Sequence, residues 1–201
     1  VLMFWYEEEV LRVEKEFKES GKVKPAVFYG SGTINFWKSI SNDLESLNLF
    51  NAGFGGSTIS ACCWFYERLV KPMKPSSIIL YAGENDLGDN RHPEEECLLA
   101  KFFLDRLREN YPDIPFTFIS IKPSPARWHI IDRINYTNDI IKYMISFENN
   151  AFYLDVHSAM IDRYGHPIPS LFNDDGLHLS YEGYQLWKKL ITDNKNFIFK
   201  T

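Results

Sequence analysis

Five short apolar runs, each separated from the next by a longer stretch, restrict this chain to one class of fold. They are PAVFYG (25–30), LNLFNAG (47–53), SSIILYAG (76–83), PFTFISI (115–121) and AFYLDV (151–156). Rich in β-branched and aromatic residues, they read as strands buried on both faces. The segments 35–46, 58–70, 94–110, 130–147 and 181–191 carry helical periodicity instead. Strands alternating with helices build a parallel sheet covered on both sides. The expectation is one doubly wound α/β domain over 1–201, with 1–22 as an N-terminal helix packed on it. Within that helix, 4–19 is amphipathic and acid-rich, with Phe4, Leu11 and Phe17 as packing residues and Gly21 as the stop. Pro93 followed by Glu94, Glu95 and Glu96 is favourable helix-entry chemistry, so the acidic triplet is assigned to the helix dipole. KPMKPSS (71–77) and IKPSPARW (121–128) read as loops.

The bulk numbers exclude several functions. With 201 residues, 45% of them hydrophobic, the chain can bury a substantial core and is not disordered. Its net charge is −5, with no Lys/Arg run long enough for a nucleic-acid stripe. No apolar stretch reaches membrane-spanning length. The opening VLMFWYEEEV lacks the basic n-region of an intact signal peptide, although Val1 in place of Met is consistent with a leader removed upstream. Cys62, Cys63 and Cys97 match neither a disulfide framework nor metal-ligand spacing, and reduced structural thiols are the reading.

In open parallel sheets, ligands bind beyond the carboxyl ends of the strands, and four unusual polar clusters fall there. The first run is followed by Gly30-Ser31-Gly32-Thr33 and the second by Asn51-Ala52-Gly53-Phe54-Gly55-Gly56-Ser57. The third leads into Gly83-Glu84-Asn85-Asp86, and the fifth precedes a loop ending in Asp175 and His178. Each cluster alone is explained by turn chemistry; their shared edge favours an active site. Asp175 and His178 stand three residues apart, so the carboxylate can fix the imidazole's tautomer for general-base work. Gly56 lets a backbone N–H approach a substrate oxygen, Asn85 offers an amide donor, and a backbone N–H near position 32 completes an oxyanion hole.

The order GSG (30–32), NAGFGGS (51–57), GEND (83–86) and DGLH (175–178) strongly resembles the SGNH, or GDSL-type, ester hydrolases. WKSI, KPSPARW and LFNDDGLHLSYEGYQLW are similar to the branch that includes platelet-activating-factor acetylhydrolases and bacterial carbohydrate acetylesterases. The resemblance implies a flavodoxin-like three-layer α/β/α sandwich with a five-stranded parallel sheet. It implies Gly56 and Asn85 as oxyanion donors, and Asp175 and His178 as partners of a serine nucleophile. The first block departs from the family's Gly-Asp-Ser: with Gly30 aligned, Ser31 takes the aspartate's position and Gly32 the serine's. Two accounts stay open. Either Gly32 fills the nucleophile slot and the chain is crippled as an esterase, or Ser31 serves through a one-residue shift of the turn. Neighbouring side chains on an extended segment point to opposite faces, which argues against the shift.

The expected substrate is a short acyl ester, above all an acetyl group on a carbohydrate or small alcohol, with no cofactor or metal required. The alternative is a non-catalytic module that binds acylated carbohydrate or small ester ligands. Trp37, Trp128 and Phe54 are candidates for the pocket border, against the commoner fate of core packing. A dinucleotide fingerprint starting at Gly30-x-Gly32 fails, because position 35 is Asn and no acidic residue ends the second strand. Asp155, His157, Asp162 and His166 cluster in sequence, but at spacings that match no established metal motif.

Overall fold

The computed structural model describes residues 3–45 and 47–199, so positions 1 and 2 of the expected N-terminal helix, position 46 at the end of the expected 35–46 helix, and positions 200 and 201 lie outside the described residues. All five expected strands form: β1 Ala26–Gly30, β2 Leu49–Gly53, β3 Ser77–Tyr81, β4 Phe116–Ile119 and β5 Ala151–Leu154. They pair in parallel in the order β2-β1-β3-β4-β5. That order puts a topological switch point between β1 and β3, where the chain winds outward in both directions and ligand crevices open.

Among the described residues ten α-helices connect and flank the strands: α1 Glu7–Ser20, α2 Gly32–Phe36, α3 Ile40–Asp43, α4 Ile59–Trp64, α5 Tyr66–Leu69, α6 Glu84–Gly88, α7 Pro93–Asn110, α8 Ile131–Ile145, α9 Tyr181–Asp193 and α10 Lys195–Phe199. Successive strand residues point to opposite faces, and the core divides accordingly. Val27, Tyr29, Ile78 and Leu80 pack with α1, α4, α7 and α8, whereas Ala26, Phe28, Ile79 and Tyr81 pack with α2, α3, α9 and α10. The result is the three-layer α/β/α sandwich expected from the sequence.

Three local expectations need correction. Along α1 and its N-cap residue the buried stripe is Tyr6, Val10 and Val13 with Phe17 beside it, while Leu11, and Phe4 in the turn before the helix, face solvent. The 3–4 residue spacing of 6, 10, 13 and 17 traces one helix face, and positions 4 and 11 lie off it. The helices expected at 35–46 and 58–70 are each broken in two, and side chains donate to carbonyls near both breaks. Asn51 Nδ2 donates to the Ile34 carbonyl at 2.7 Å, Tyr29 Oη to that of Cys62 at 3.0 Å, and Arg106 Nη1 to that of Cys63 at 3.2 Å. In α7, Glu95 accepts from the His92 N–H as the entry chemistry predicts, but Glu96 is fully buried rather than serving the dipole from the surface.

Candidate active site

The four polar clusters meet at the carboxyl edge of the sheet. β1 ends at Gly30 with φ 125°, and a Cβ there would sit 2.0 Å from the Tyr81 carbonyl oxygen, so only glycine lets the chain turn this close to β3. The turn is pinned by Ser31 N–H donating to Tyr81 O at 2.9 Å. Ser31 is the N-cap residue of α2 and is 5% exposed, and its side chain makes no capping bond. Gly32 is the first residue of α2. Helix-start N–H groups have no intrahelical partner, and that of Gly32 has no acceptor among the described residues.

The loop after β2 is bound to the first by Phe54 N–H donating to Gly30 O at 2.9 Å, and Gly53 packs flush against the backbone of Asn35. Gly56 follows with φ 68° and open space where a side chain would lie. After β3, Asn85 Nδ2 donates to Ser57 O at 3.1 Å. Asp86, fully buried, accepts from Ile59 N–H at 3.1 and 3.0 Å and so anchors the start of α4.

The fourth loop carries the imidazole. His178 Nδ1 lies 2.6 Å from Asp175 Oδ2, while Asp175 Oδ1 accepts the N–H groups of Leu177 and His178 at 2.9 Å each. The bond to the ring and these two backbone bonds hold the Asp175 carboxyl down at about 2. Phe36 meets the imidazole edge to face, with ring centroids 4.9 Å apart. Ser180 then caps α9, accepting from Gly183 N–H at 3.1 Å. A Cβ built on Gly32 would stand 3.9 Å from His178 Nε2, so position 32 faces the imidazole nitrogen opposite Asp175.

These loops enclose a cavity of about 300 Å³ lined by Ser31, Gly32, Gly56, Asn85 and His178 among others. Of the catalytic and oxyanion-hole candidates, Asp175 does not line the cavity and instead holds His178. Trp37 and Phe54 are fully buried in the core, and Trp128 packs against His166; the aromatic at the rim is instead Phe36. Sequence reasoning also missed Glu84 and Lys122, which line the same cavity. Lys122 is fully buried and donates to Glu84, as does Ser124. Burial lowers the Lys122 pKa and the Glu84 carboxylate opposes that shift. The signal was available, because Lys122 follows β4 at the same carboxyl edge whose other loops were read as site-bearing.

A hollow of about 390 Å³ between α3 and α9–α10 contains none of the singled-out residues. Asp155 instead caps Ser158, and Asp162 closes a turn by accepting from the N–H groups of Tyr164 and His166. Cys62 and Cys63 are buried free thiols, and Cys97 is half-buried and free.

The model of the GDSL-like lipase/acylhydrolase family matches residues 28–186, and the chain belongs to that family of ester hydrolases. No curated protein sequence matches it. Among solved structures it is similar to a Streptococcus pneumonia protein provisionally described as a platelet activating factor, with TM-score 0.82 and 19% identity over 94% of each chain. It is also similar to a GDSL-like lipase from Bacteroides thetaiotaomicron, with TM-score 0.77 and 18% identity over 92% of this chain and 95% of the other. A carbohydrate esterase family 3 protein from Talaromyces cellulolyticus gives TM-score 0.67 and 15% identity over 86% and 96%. At these identities the likeness extends to the fold. The family itself implies small ester substrates, and no described helix is long and apolar enough to cross a membrane.

Proposed function

We propose that the cavity is a serine-esterase site for short acyl esters, acetyl foremost, in which Gly32 occupies the nucleophile's position. The observation that carries this reading is the alignment of Gly32, His178 and Asp175: the 3.9 Å gap from a Cβ at position 32 to His178 Nε2 leaves a serine Oγ within hydrogen-bond reach. With a hydroxyl there, His178 would remove its proton as it attacks the ester carbonyl, and Asp175 would stabilise the resulting imidazolium. The N–H groups of Gly32 and Gly56 and the Asn85 amide would receive the charge on the carbonyl oxygen. Each such donor is typically worth ~10²–10³ in rate. His178 would then return the proton to the departing alcohol, and water would release the acid from the serine. The cavity of about 300 Å³ suits a small acyl group.

As the chain stands, glycine supplies no nucleophile, so ester turnover is confined to the ~10³–10⁴ over water that oxyanion stabilisation and binding alone provide. The experiment is Gly32→Ser assayed on aryl acetate, butyrate and longer esters. Activity on acetate should rise by several orders of magnitude, in line with the ~10⁶ lost with a triad serine. A folded variant inert on every ester would sink the esterase reading. It would favour the second reading, a binding module for acylated carbohydrates, to which the missing hydroxyl already lends support.

A further inference from the structure

The loop bearing Gly56 is held from outside the sheet by one side of α1. Glu9 Oε2 accepts Gly55 N–H at 3.1 Å, and Tyr6 Oη donates to Gly56 O at 2.9 Å. Arg12 Nη2 donates to Gly53 O at 2.8 Å and to Asn35 Oδ1 at 3.1 Å, while Asn35 Nδ2 donates back to Glu9 at 3.2 Å. Glu9 and Arg12 are themselves paired at 3.2 Å, and that bond holds the Glu9 carboxyl below its usual range. Tyr6 is nearly buried, its ring edge-on to Phe54 at 5.6 Å, so its hydroxyl has little freedom.

The placement of these bonds is selective. A peptide plane is rigid, and its orientation is set by the two rotatable bonds on either side. The unit ahead of Gly55 is fixed through its N–H and the unit after Gly56 through its carbonyl. The unit between them carries the Gly56 N–H, which has no acceptor among the described residues and borders the cavity. Two glycines in sequence would otherwise leave that unit free to flip, since glycine populates both signs of φ at little cost. Through Asn35, the same network reaches α2, the helix that begins at Gly32.

We infer that Tyr6 and Glu9 are positioning residues that aim the Gly56 N–H into the cavity, with Arg12 and Asn35 locking them to the helix of Gly32. This rests on the esterase reading for its kinetic consequence, but not for the loop geometry. Two measurements separate them. In the unaltered chain, Tyr6→Phe and Glu9→Ala should each speed amide exchange of Gly55, whose N–H is the bonded one, at least ~10-fold, with the strands unaffected. In the Gly32→Ser background, each should lower kcat on aryl acetate by ~10–10²-fold while KM moves less than twofold, the cost of a slightly misplaced donor. Glu14→Ala is the control, because Glu14 ties α1 to Arg68 at 2.7 Å without touching the loop. Unchanged glycine exchange overturns the inference whatever Gly32→Ser does, and so does an equal fall in kcat in Glu14→Ala. If Gly32→Ser is inert while exchange quickens, the esterase reading fails and the loop-holding role of α1 stands.

Discussion

Asp86 and Glu96 are both fully buried and share one guanidinium, with Arg91 Nε 3.6 Å from the first carboxylate and 3.7 Å from the second. One cation between two buried acids cannot balance both charges, so one proton is retained. Burial first, and then the neighbouring Asp86, push Glu96 up to about 9, while burial raises Asp86 to about 6. Unfolded, Glu96 would release its proton near 4.5. Between those values the folded chain binds more protons than the unfolded one, so stability falls as pH rises. Glu96→Gln removes that dependence and leaves an amide that can donate to Asp86. Its melting temperature should exceed the parent's by about 3–6 °C at pH 8.5, with the gain shrinking towards nothing at pH 5. A constant difference across that range would contradict the shared-proton account.

The register of the first block is open to a direct test. Since a Cβ at position 32 would stand 3.9 Å from His178 Nε2, the proposed alignment gives Ser31 no part in the chemistry, and Ser31→Ala should leave the residual esterase rate of the parent within about twofold. In Gly32→Ser, by contrast, His178→Ala should remove nearly all the gained activity, because an unassisted hydroxyl is a poor nucleophile at neutral pH. Brisk hydrolysis by the parent that disappears in Ser31→Ala would make Ser31 the nucleophile and overturn the proposed alignment.

Asp175 has two tasks that one substitution separates. Its Oδ1 holds the loop through Leu177 and His178, and its Oδ2 meets His178 Nδ1. An asparagine can keep the backbone bonds through its own Oδ1 but presents an N–H to the ring, which favours the wrong tautomer. Asp175→Asn in Gly32→Ser should therefore retain the melting temperature within a few degrees and lose ~10⁴ in kcat on aryl acetate. The carboxylate's stabilising interactions should be fully present above its ordinary 3.8 and fade as pH falls towards 2. A pH titration of the ring contact by NMR checks that window.

The strands were legible because parallel strands buried on both faces become unbroken apolar runs, as in the fully buried Ser77–Tyr81. The candidate site was legible where its proposed chemistry lies in short local patterns: Asp175 and His178 share one turn, and the glycines at 30 and 56 are turn signals. What sequence did not reveal depends on contacts between distant segments. The choice of Val10 and Val13 over Leu11 is made by the sheet face against which α1 packs. Lys122 becomes a cavity residue through Glu84, 38 positions away, and Tyr6 reaches Gly56 across 50. No periodicity encodes such pairs. Glu96 illustrates the same limit, since its local setting at a helix start is that of a dipole residue until α6 brings Asp86 against it.

Three glycines at the site should respond to alanine in a definite order. Gly30 combines φ 125° with the Tyr81 backbone 2.0 Å from any Cβ, and Gly53 meets the Asn35 backbone nitrogen at 2.3 Å. Neither neighbour is a flexible side chain, so β1, β3 or α2 must move to admit a methyl group. Gly56 has φ 68° with nothing within 4 Å, leaving only the cost of left-handed backbone for alanine, about 1–2 kcal/mol. Gly30→Ala and Gly53→Ala should each lose more than about 3 kcal/mol in denaturant unfolding, the range reserved for overpacking and strain at special backbone positions. Gly56→Ala should stay folded with a loss near the left-handed cost alone. Equal losses at all three positions would mean that the turns relax freely, and the tight junction between the first two loops would not be what holds Gly32 opposite His178.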